Sequence, residues 1–367
     1  MSRPYSVVII GQGERGKIFL HGFLKNQERF RVIGLCDHKN ANLEESARIY
    51  NIPRDMLYND ADEMMRIKKP DILVFATLPH IRLSLVELGV KYGVKGILFE
   101  KPMATSIYEA ARIVKLCKDN NIRAGVCQQH KYLRSFDQLR GILASGELGD
   151  IMEIRASCKA HASQLGTHYI DYMIWANGGK RARAVVGHAH GNFYLNDSHP
   201  SPDYVMAQIA FENGVRGIFE CGYFSPKRAQ YEVEFTYGAK DLAFWTDDRL
   251  AVFGTKGYAW AECNGRYACF TAKTLPEIVS GDYGDFFEHE QFYAQERFTA
   301  EYGQWLDGEG IFLSDIETAY HGFEILEAIY RSALECDRID LPLSFSDKTD
   351  TLECLKSRLK PVTYRDF

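Results

Sequence analysis

The hexapeptide Gly11-Gln12-Gly13-Glu14-Arg15-Gly16 follows the short apolar run Tyr5–Ile10 and opens a stretch with helical patterning. In that setting Gly11 permits a tight turn, Gly13 lets the main chain approach a bound group, and Gly16 lets helix and strand pack closely. The helix N-terminus then offers N–H groups and a partial positive charge, which suit a pyrophosphate. A second apolar run, Phe30–Cys36, ends in Asp37, about 20 residues past the last glycine. A carboxylate there accepts hydrogen bonds from ribose hydroxyls and repels a 2′-phosphate, so NAD is expected rather than NADP. Lys39 softens that preference. A chance glycine-rich turn is the competing reading, and the succession strand, turn, helix, strand, Asp is what selects the nucleotide. Gln12, Glu14 and Arg15 are assigned to the cofactor with the three glycines.

A chain of 367 residues exceeds the size at which one core stops growing, about 250–300 residues, so two domains are expected. Net charge is −5, from 44 basic and 49 acidic residues with no basic block, which argues against nucleic acid as a partner. No run of about 18 uncharged apolar residues is present, so no membrane span is expected. The chain enters a strand without a charged-then-apolar leader, and its nine cysteines form no Cys-x-x-Cys pair. Both features favour a cytoplasmic protein with reduced, buried thiols.

Strand and helix patterns alternate through the first part of the chain, with strands at Tyr5–Ile10, Phe30–Asp37, Asp71–Ala76, Gly96–Phe99 and Ala124–Gln128. Helical patterns at Leu43–Tyr50, Arg82–Tyr92 and Ser106–Asn120 lie between them, with Asn42 as N-cap of the first and a Ser106/Glu109 capping box on the last. The fold class is therefore α/β: an N-terminal Rossmann domain, 1–128, with a doubly wound parallel sheet. Beyond Gln129 the pattern changes to helix 136–145, strand 151–158, helix 167–175 and strand-like runs at 184–190, 204–211, 215–221, 231–237 and 242–246. Ser314 and Glu317 form a capping box on a helix to Leu334. Residues 129–367 are read as an α+β domain with a large, mainly antiparallel open sheet that binds substrate. Its aromatic supply (Tyr204, Phe211, Phe219, Tyr223, Phe224, Tyr231, Phe235, Phe244, Trp245) exceeds what two or three helices cover. A homodimer or homotetramer through that sheet is expected, with a large self-contained core as the alternative.

Glu100-Lys101-Pro102 follows a strand, and in an open parallel sheet ligands bind at the carboxyl ends of strands. An ammonium at Lys101 can hydrogen-bond a substrate hydroxyl and stabilise the alkoxide-like oxygen as hydride leaves; the competing reading is a salt-bridging lysine in a turn. A cis bond at Lys101–Pro102 costs about 2 kcal/mol less than one at Glu100–Lys101. His168 can take the hydroxyl's proton at neutral pH, and Asp171, three residues on, lies near the same helical face. The segment Gln128–Arg134 is polar, and His130 and Tyr132 are the choices for substrate contact. His188 and His190 share a strand face, with His199 nearby, but no carboxylate or cysteine accompanies them, and no metal site is expected.

Together, Val7–Gly16, Asp37, Ala76-Thr77-Leu78-Pro79, Glu100-Lys101-Pro102, Gly146-Glu147-Leu148-Gly149, Leu165–Asp171 and the end helix 319–334 resemble the Gfo/Idh/MocA oxidoreductases, the family of glucose–fructose oxidoreductase and inositol dehydrogenase. The resemblance implies an NAD(P) enzyme acting on sugars or cyclitols, with catalytic residues at Lys101 and His168. It places Thr77, Leu78, Pro79, Glu100, Lys101 and Gln129 along the cofactor. Two positions depart from the pattern: Gln164 stands where the family has an aspartate four residues before the histidine, and Leu83 where many members have histidine. Glutamine hydrogen-bonds but carries no proton, so Gln164, His161 and Asp171 are assigned to substrate, with His161 or Lys159 available to supply the missing group. The expected activity is NAD-dependent oxidation of a secondary hydroxyl of a sugar, glycoside or cyclitol. The alternative is an NAD-dependent glycoside hydrolase working by transient oxidation, elimination, hydration and re-reduction. The lack of a tyrosine base at the expected place beside His168 counts against it. A non-catalytic NAD-binding regulator is the remaining class.

Overall fold

The computed structural model describes residues 3–197, 200–222, 248–274, 276–284, 287–344 and 349–361. The chain divides into two units, 1–132 with 288–320, and 133–287 with 321–367.

The first unit holds a six-stranded parallel sheet in the order β3-β2-β1-β4-β5-β6. Its strands are β1 Tyr5–Ile10, β2 Phe30–Cys36, β3 Leu57–Tyr58, β4 Ile72–Phe75, β5 Gly96–Glu100 and β6 Arg123–Cys127. Helices α1 Glu14–Leu24, α2 Asn40–Tyr50, α3 Ala61–Lys68, α4 Arg82–Lys91 and α5 Ile107–Asp119 connect them. Burial on both faces accounts for the uninterrupted apolar runs: Val7, Val8, Ile9, Leu73, Val74, Ile97 and Leu98 are fully enclosed. The order reverses between β1 and β4, the place where such sheets open to ligands. Asp71, ahead of β4, ties the sheet's edge residues together by accepting from Ser6 N (3.0 Å) and Ser6 Oγ (2.8 Å).

The expected boundary at 128 requires correction. The helix Phe287–Leu306 and the loop after it complete the first unit, because their aromatic side chains pack on its core. Phe298 meets the Tyr132 ring, Tyr302 stacks on Phe30, and Val126 N donates to Ser314 O. Two caps also differ. Asn42 lies inside α2, where its amide donates to Asp37, and Lys39 occupies the cap position without a side-chain bond. Asp315, not Ser314, caps the helix Ile316–Glu335, accepting from Glu317 N and Thr318 N, while Glu317 pairs with Lys118. Ser106 caps α5 as expected, accepting from Glu109 N. The cis bond falls at Lys101–Pro102.

In the second unit nine described strands form one sheet, β14-β13-β12-β11-β7-β10-β9-β8-β15. They are β7 Ile151–Cys158, β8 Ala182–His190, β9 Tyr204–Phe211, β10 Arg216–Gly222, β11 Arg249–Gly254, β12 Gly257–Glu262, β13 Arg266–Thr271, β14 Val279–Asp282 and β15 Ile339–Asp340. Only the β7–β10 pair is parallel among the described pairings. Helices α6 Arg134–Ser145 and α7 Thr167–Ala176 and the 321–335 part of the helix Ile316–Glu335 cover one face. A Cβ at Gly217 would strike Met173, and one at Gly187 would strike Ile329. The other face exposes Met206 and carries Val186, Gln208 and Ile218 around a groove of about 480 Å³ rimmed by Glu153, Arg216 and Arg338. Of the aromatic residues assigned to an open face, Phe211 and Phe219 are instead buried on the helical side, because strand alternation turns them inward. Tyr204 is half-buried, its hydroxyl donating to Glu220. Tyr223, Phe224, Tyr231, Phe235, Phe244 and Trp245, and the runs 231–237 and 242–246, lie outside the described residues, as does His199. His188 and His190 are exposed, and no metal-binding cluster occurs among the described residues. No helix among them is long and apolar enough to cross a membrane.

Candidate functional site

At the carboxyl end of β1 the main chain turns on Gly11, whose φ of +84° and whose N–H bond to Cys36 O (2.8 Å) fix the bend. The turn is packed to the limit: a Cβ on Gly16 would lie 1.8 Å from Gly11 O. Gly13 is different, since a Cβ there would meet nothing within 4 Å. Gly13 is also the N-cap of α1 and has no side chain to occupy the helix's first N–H groups. An open face over free amides at a helix N-terminus fits a pyrophosphate.

Asp37 holds the turn from the neighbouring strand. Its Oδ2 accepts from Gln12 N (2.7 Å) and Asn42 Nδ2 (3.0 Å), and its Oδ1 from Lys39 N (2.8 Å). Burial alone would raise its pKa, but these donors outweigh it and hold the carboxyl below its ordinary value. His38 Nδ1 lies 3.4 Å from the same Oδ1 and is itself exposed. Glu14 faces solvent and pairs with Lys17 (2.6 Å). Arg15 turns inward: its Nε donates to Glu100 Oε1 (2.8 Å) and its Nη1 to Gln291 Oε1 (3.0 Å). That pair joins the glycine turn to the end of β5.

Farther along the same edge, Thr77 accepts through its carbonyl from the Arg82 guanidinium (2.6 and 3.2 Å), Leu78 is half exposed, and Pro79 begins a short 3₁₀ turn. Lys101 follows Glu100 directly. Burial pushes its amine down to about 8, Glu100 opposing and Arg15 and Arg82 adding to the effect. Gln129 Oε1 accepts from Arg15 (3.0 and 3.1 Å) and from His130 Nε2 (3.3 Å). His130 is held well below its ordinary pKa by burial, then by Arg15 and Lys101, so it is neutral at pH 7. Tyr132 is enclosed, with its hydroxyl on Glu301 (2.7 Å), which places it in the unit's core. Among the buried polar atoms of this unit with no hydrogen-bond partner in the described residues are Gln12 Oε1, Thr77 Oγ1 and Gln128 Oε1. Such atoms are costly unless a ligand satisfies them, and with the clear space at Gly13 they fit a dinucleotide.

The second unit carries the other predicted residues on one short stretch. The His161 carbonyl accepts from Gln164 N (3.0 Å), Leu165 N (3.1 Å) and Gly166 N (3.2 Å), making a π-turn that feeds α7. Gly166 allows the turn to press on β10, since a Cβ there would touch Cys221 Sγ at 3.0 Å. His168 and Asp171 are then buried in the first turns of α7, and Gln164 is half-buried one turn ahead. The His161 ring meets the Tyr194 ring edge-on at 3.9 Å between centroids. Tyr194 is itself placed by its N–H bond to buried Asp203 Oδ1 (3.0 Å). Lys159 contributes its main chain, donating to Asp248 Oδ1 (2.7 Å).

Arg82, Gln291, Tyr194 and Tyr172 enter this description without having been singled out in sequence. Tyr172 was legible, lying at i+4 from His168, with ring centroids 5.9 Å apart. It is fully buried, and burial raises its phenol well above the ordinary value. The others act through long-range partners that no spacing announces.

Residues 5–128 match the model of the oxidoreductase family with an NAD-binding Rossmann fold, and residues 161–260 match the Gfo/Idh/MocA C-terminal domain. Glucose-6-phosphate 3-dehydrogenase of Bacillus subtilis is 25% identical over 174 residues, 41% of this chain and 47% of its own length. The chain spans less than half the length of the curated relatives it matches first. Among solved structures, an Agrobacterium radiobacter oxidoreductase in complex with NAD+ and L-tartaric acid superposes with a TM-score of 0.75 at 17% identity, covering 92% of this chain and 98% of that one. Levoglucosan dehydrogenase, in complex with NADH and levoglucosan, gives 0.74 at 15% identity, covering 93% and 100%. With both of its domain models matched over more than half of the sequence, and with an NAD-binding Rossmann unit at its N-terminus, the chain belongs to the Gfo/Idh/MocA oxidoreductase family.

Proposed function

We propose that the protein is an NAD-dependent dehydrogenase that oxidises a secondary hydroxyl of a sugar, sugar acid, glycoside or cyclitol. The observation that carries this reading is in the first unit. A dinucleotide turn held by Asp37 shares one sheet edge with Lys101, a half-buried lysine whose amine is held near 8. NAD, when bound, supplies the hydride acceptor. Lys101 donates a hydrogen bond to the substrate oxygen and steadies its growing negative charge. His168 takes the hydroxyl proton, and Asp171, at i+3 on the same helix, orients the ring or binds a neighbouring hydroxyl. Gln164 and His161 serve other hydroxyls of the substrate. Two relatives named for glucose 6-phosphate and levoglucosan support a sugar-derived substrate. The ribose-facing carboxylate of Asp37 supports NAD over NADP. A cytoplasmic homodimer or homotetramer, joined through the uncovered face around Val186, Met206 and Ile218, completes the proposal.

Gln164 is the observation that favours a second reading, the NAD-dependent glycoside hydrolase, because glutamine cannot share a proton with His168. That route needs a separate base, and Tyr172, with its phenol raised by burial, is not one at neutral pH. The test is a screen of sugars, glycosides and inositols for NAD reduction with the wild type, His168→Ala and Lys101→Met. Stoichiometric NADH on the best substrate, with each variant slower by about 10²–10⁴-fold, is the expected result. Aglycone release without NADH accumulation selects the hydrolase, and a His168→Ala variant of full rate ends the assignment.

A further inference from the structure

Arg82 opens α4 and is only 2% exposed. Its Nε and Nη2 donate to Thr77 O (3.2 and 2.6 Å), and the same Nη2 reaches Lys101 O (3.2 Å). Its Nη1 is buried with no partner among the described residues, and no carboxylate among them lies within ion-pair distance. Glu100, the carboxylate whose field acts on it, is bonded to Arg15. A guanidinium enclosed in this way is expensive to keep, and packing alone gives no reason to keep it.

We propose that Arg82 is a positioning residue for Lys101: it ties the turn after β5 to the turn after β4 and sets an uncompensated positive charge beside the Lys101 amine. Among the groups that bear on that amine are Glu100 at the end of β5, Arg15 from α1, Arg82 from α4, Cys127 at the end of β6, and His130 in the turn beyond it. Arg15 engages Glu100. Burial pushes the Cys127 thiol up and the His130 imidazole down, so both are neutral near pH 7. Arg82, pushed by burial only to about 10, stays charged there. After burial, the largest cause, and together with Arg15, it therefore favours proton loss from Lys101, as suits a group that shares a proton with a reacting oxygen.

The inference rests on the role proposed for Lys101, but its test needs neither substrate nor turnover. The full-length protein is labelled with trace acetic anhydride from about pH 6 to about pH 10, and the Lys101 peptide is quantified by mass spectrometry. The wild-type midpoint is expected near 8. In Arg82→Gln it rises by about one unit, so labelling at pH 8 drops about fivefold. Arg82→Lys keeps the charge and leaves the midpoint within about 0.3 unit. It loses the planar fork, however, and amide exchange quickens in peptides covering 77–81 and 101–104. An unmoved or lowered midpoint in folded Arg82→Gln overturns the proposal. Where Arg82→Gln does not fold, Arg82→Lys decides: unchanged exchange in both peptides, or a midpoint raised despite the retained charge, overturns it.

Discussion

Replacing Gly13 with alanine separates ligand space from protein packing. The backbone at Gly13 has φ −67° and ψ −169°, which alanine adopts without strain, and its Cβ would meet no protein atom within 4 Å. Alanine is a poorer N-cap than glycine, while its stiffer unfolded chain favours folding; each effect is below about 1 kcal/mol and they oppose one another. The Tm should therefore stay within about 3 °C of the wild type. The pyrophosphate is another matter. A methyl group over the first turn of α1 pushes a phosphate outward by about 1 Å, from a normal 2.9 Å bond to beyond hydrogen-bonding reach. Each lost bond to a charged oxygen costs about 1.5–3 kcal/mol, or about 10- to 100-fold in Kd. Isothermal titration of NAD into both proteins, beside thermal unfolding, reads the two quantities. Unaltered NAD affinity in a folded Gly13→Ala protein would refute the placement of the phosphates on this turn. Gly16→Ala makes the contrast: its Cβ strikes Gly11 O at 1.8 Å, so stability and affinity should fall together.

Three further predictions concern other parts of the molecule. Burial would raise the Asp71 pKa, yet its bonds to Lys95 and Ser6 bring it from 3.8 to about 2. The stabilisation from this depressed carboxylate is full above its ordinary value and lost as pH falls through about 2. Asp71→Asn should cost about 2 kcal/mol in urea unfolding at pH 7 and almost nothing near pH 2, and a pH-independent difference would exclude this linkage. Asp37→Ala removes the acceptor of Gln12 N; fluorescence titration should show NAD binding weakened at least about tenfold and the margin over NADP narrowed. An oligomer joined by the open sheet face should dissociate in Met206→Asp, read by light scattering, and an unchanged mass would move the interface elsewhere.

The parallel sheet was legible because β1, β2, β4, β5 and β6 are apolar runs buried on both faces, each followed by turn chemistry and a helix. The second unit's strands at 151–158, 204–211 and 216–222 showed through their alternation. The missed elements have identifiable reasons. In α3 (Ala61–Lys68) charged residues are as many as apolar ones, and only Met64 and Met65 are buried, so the helical period is faint. The helix Phe287–Leu306 sets Gln295, Thr299 and Gly303 beside Ala294, Phe298 and Tyr302 in its buried stripe, so the apolar period is faint. Asp315 displaced Ser314 as cap because both residue types suit that place and only the backbone chooses between them. At the site, residues named by short motifs were visible, namely the glycines, Asp37, Lys101 and His168. Arg82 and Gln291 were not, since the first is defined by two carbonyls at different strand ends and the second by a residue far earlier in the chain.

The helix Phe287–Leu306 carries a consequence for biosynthesis. Phe30 finds its stacking partner and Tyr132 its edge-on partner, and Gly22 and Gly96 their tight neighbours Thr299 and Tyr302, only once that late segment has left the ribosome. A nascent chain of the first 132 residues thus exposes an aromatic flank that nothing yet made can seal, and must wait, sticky, while residues 133–287 are translated. Expression of that fragment alone should give aggregates, whereas supplying residues 288–320 in trans offers the missing cover.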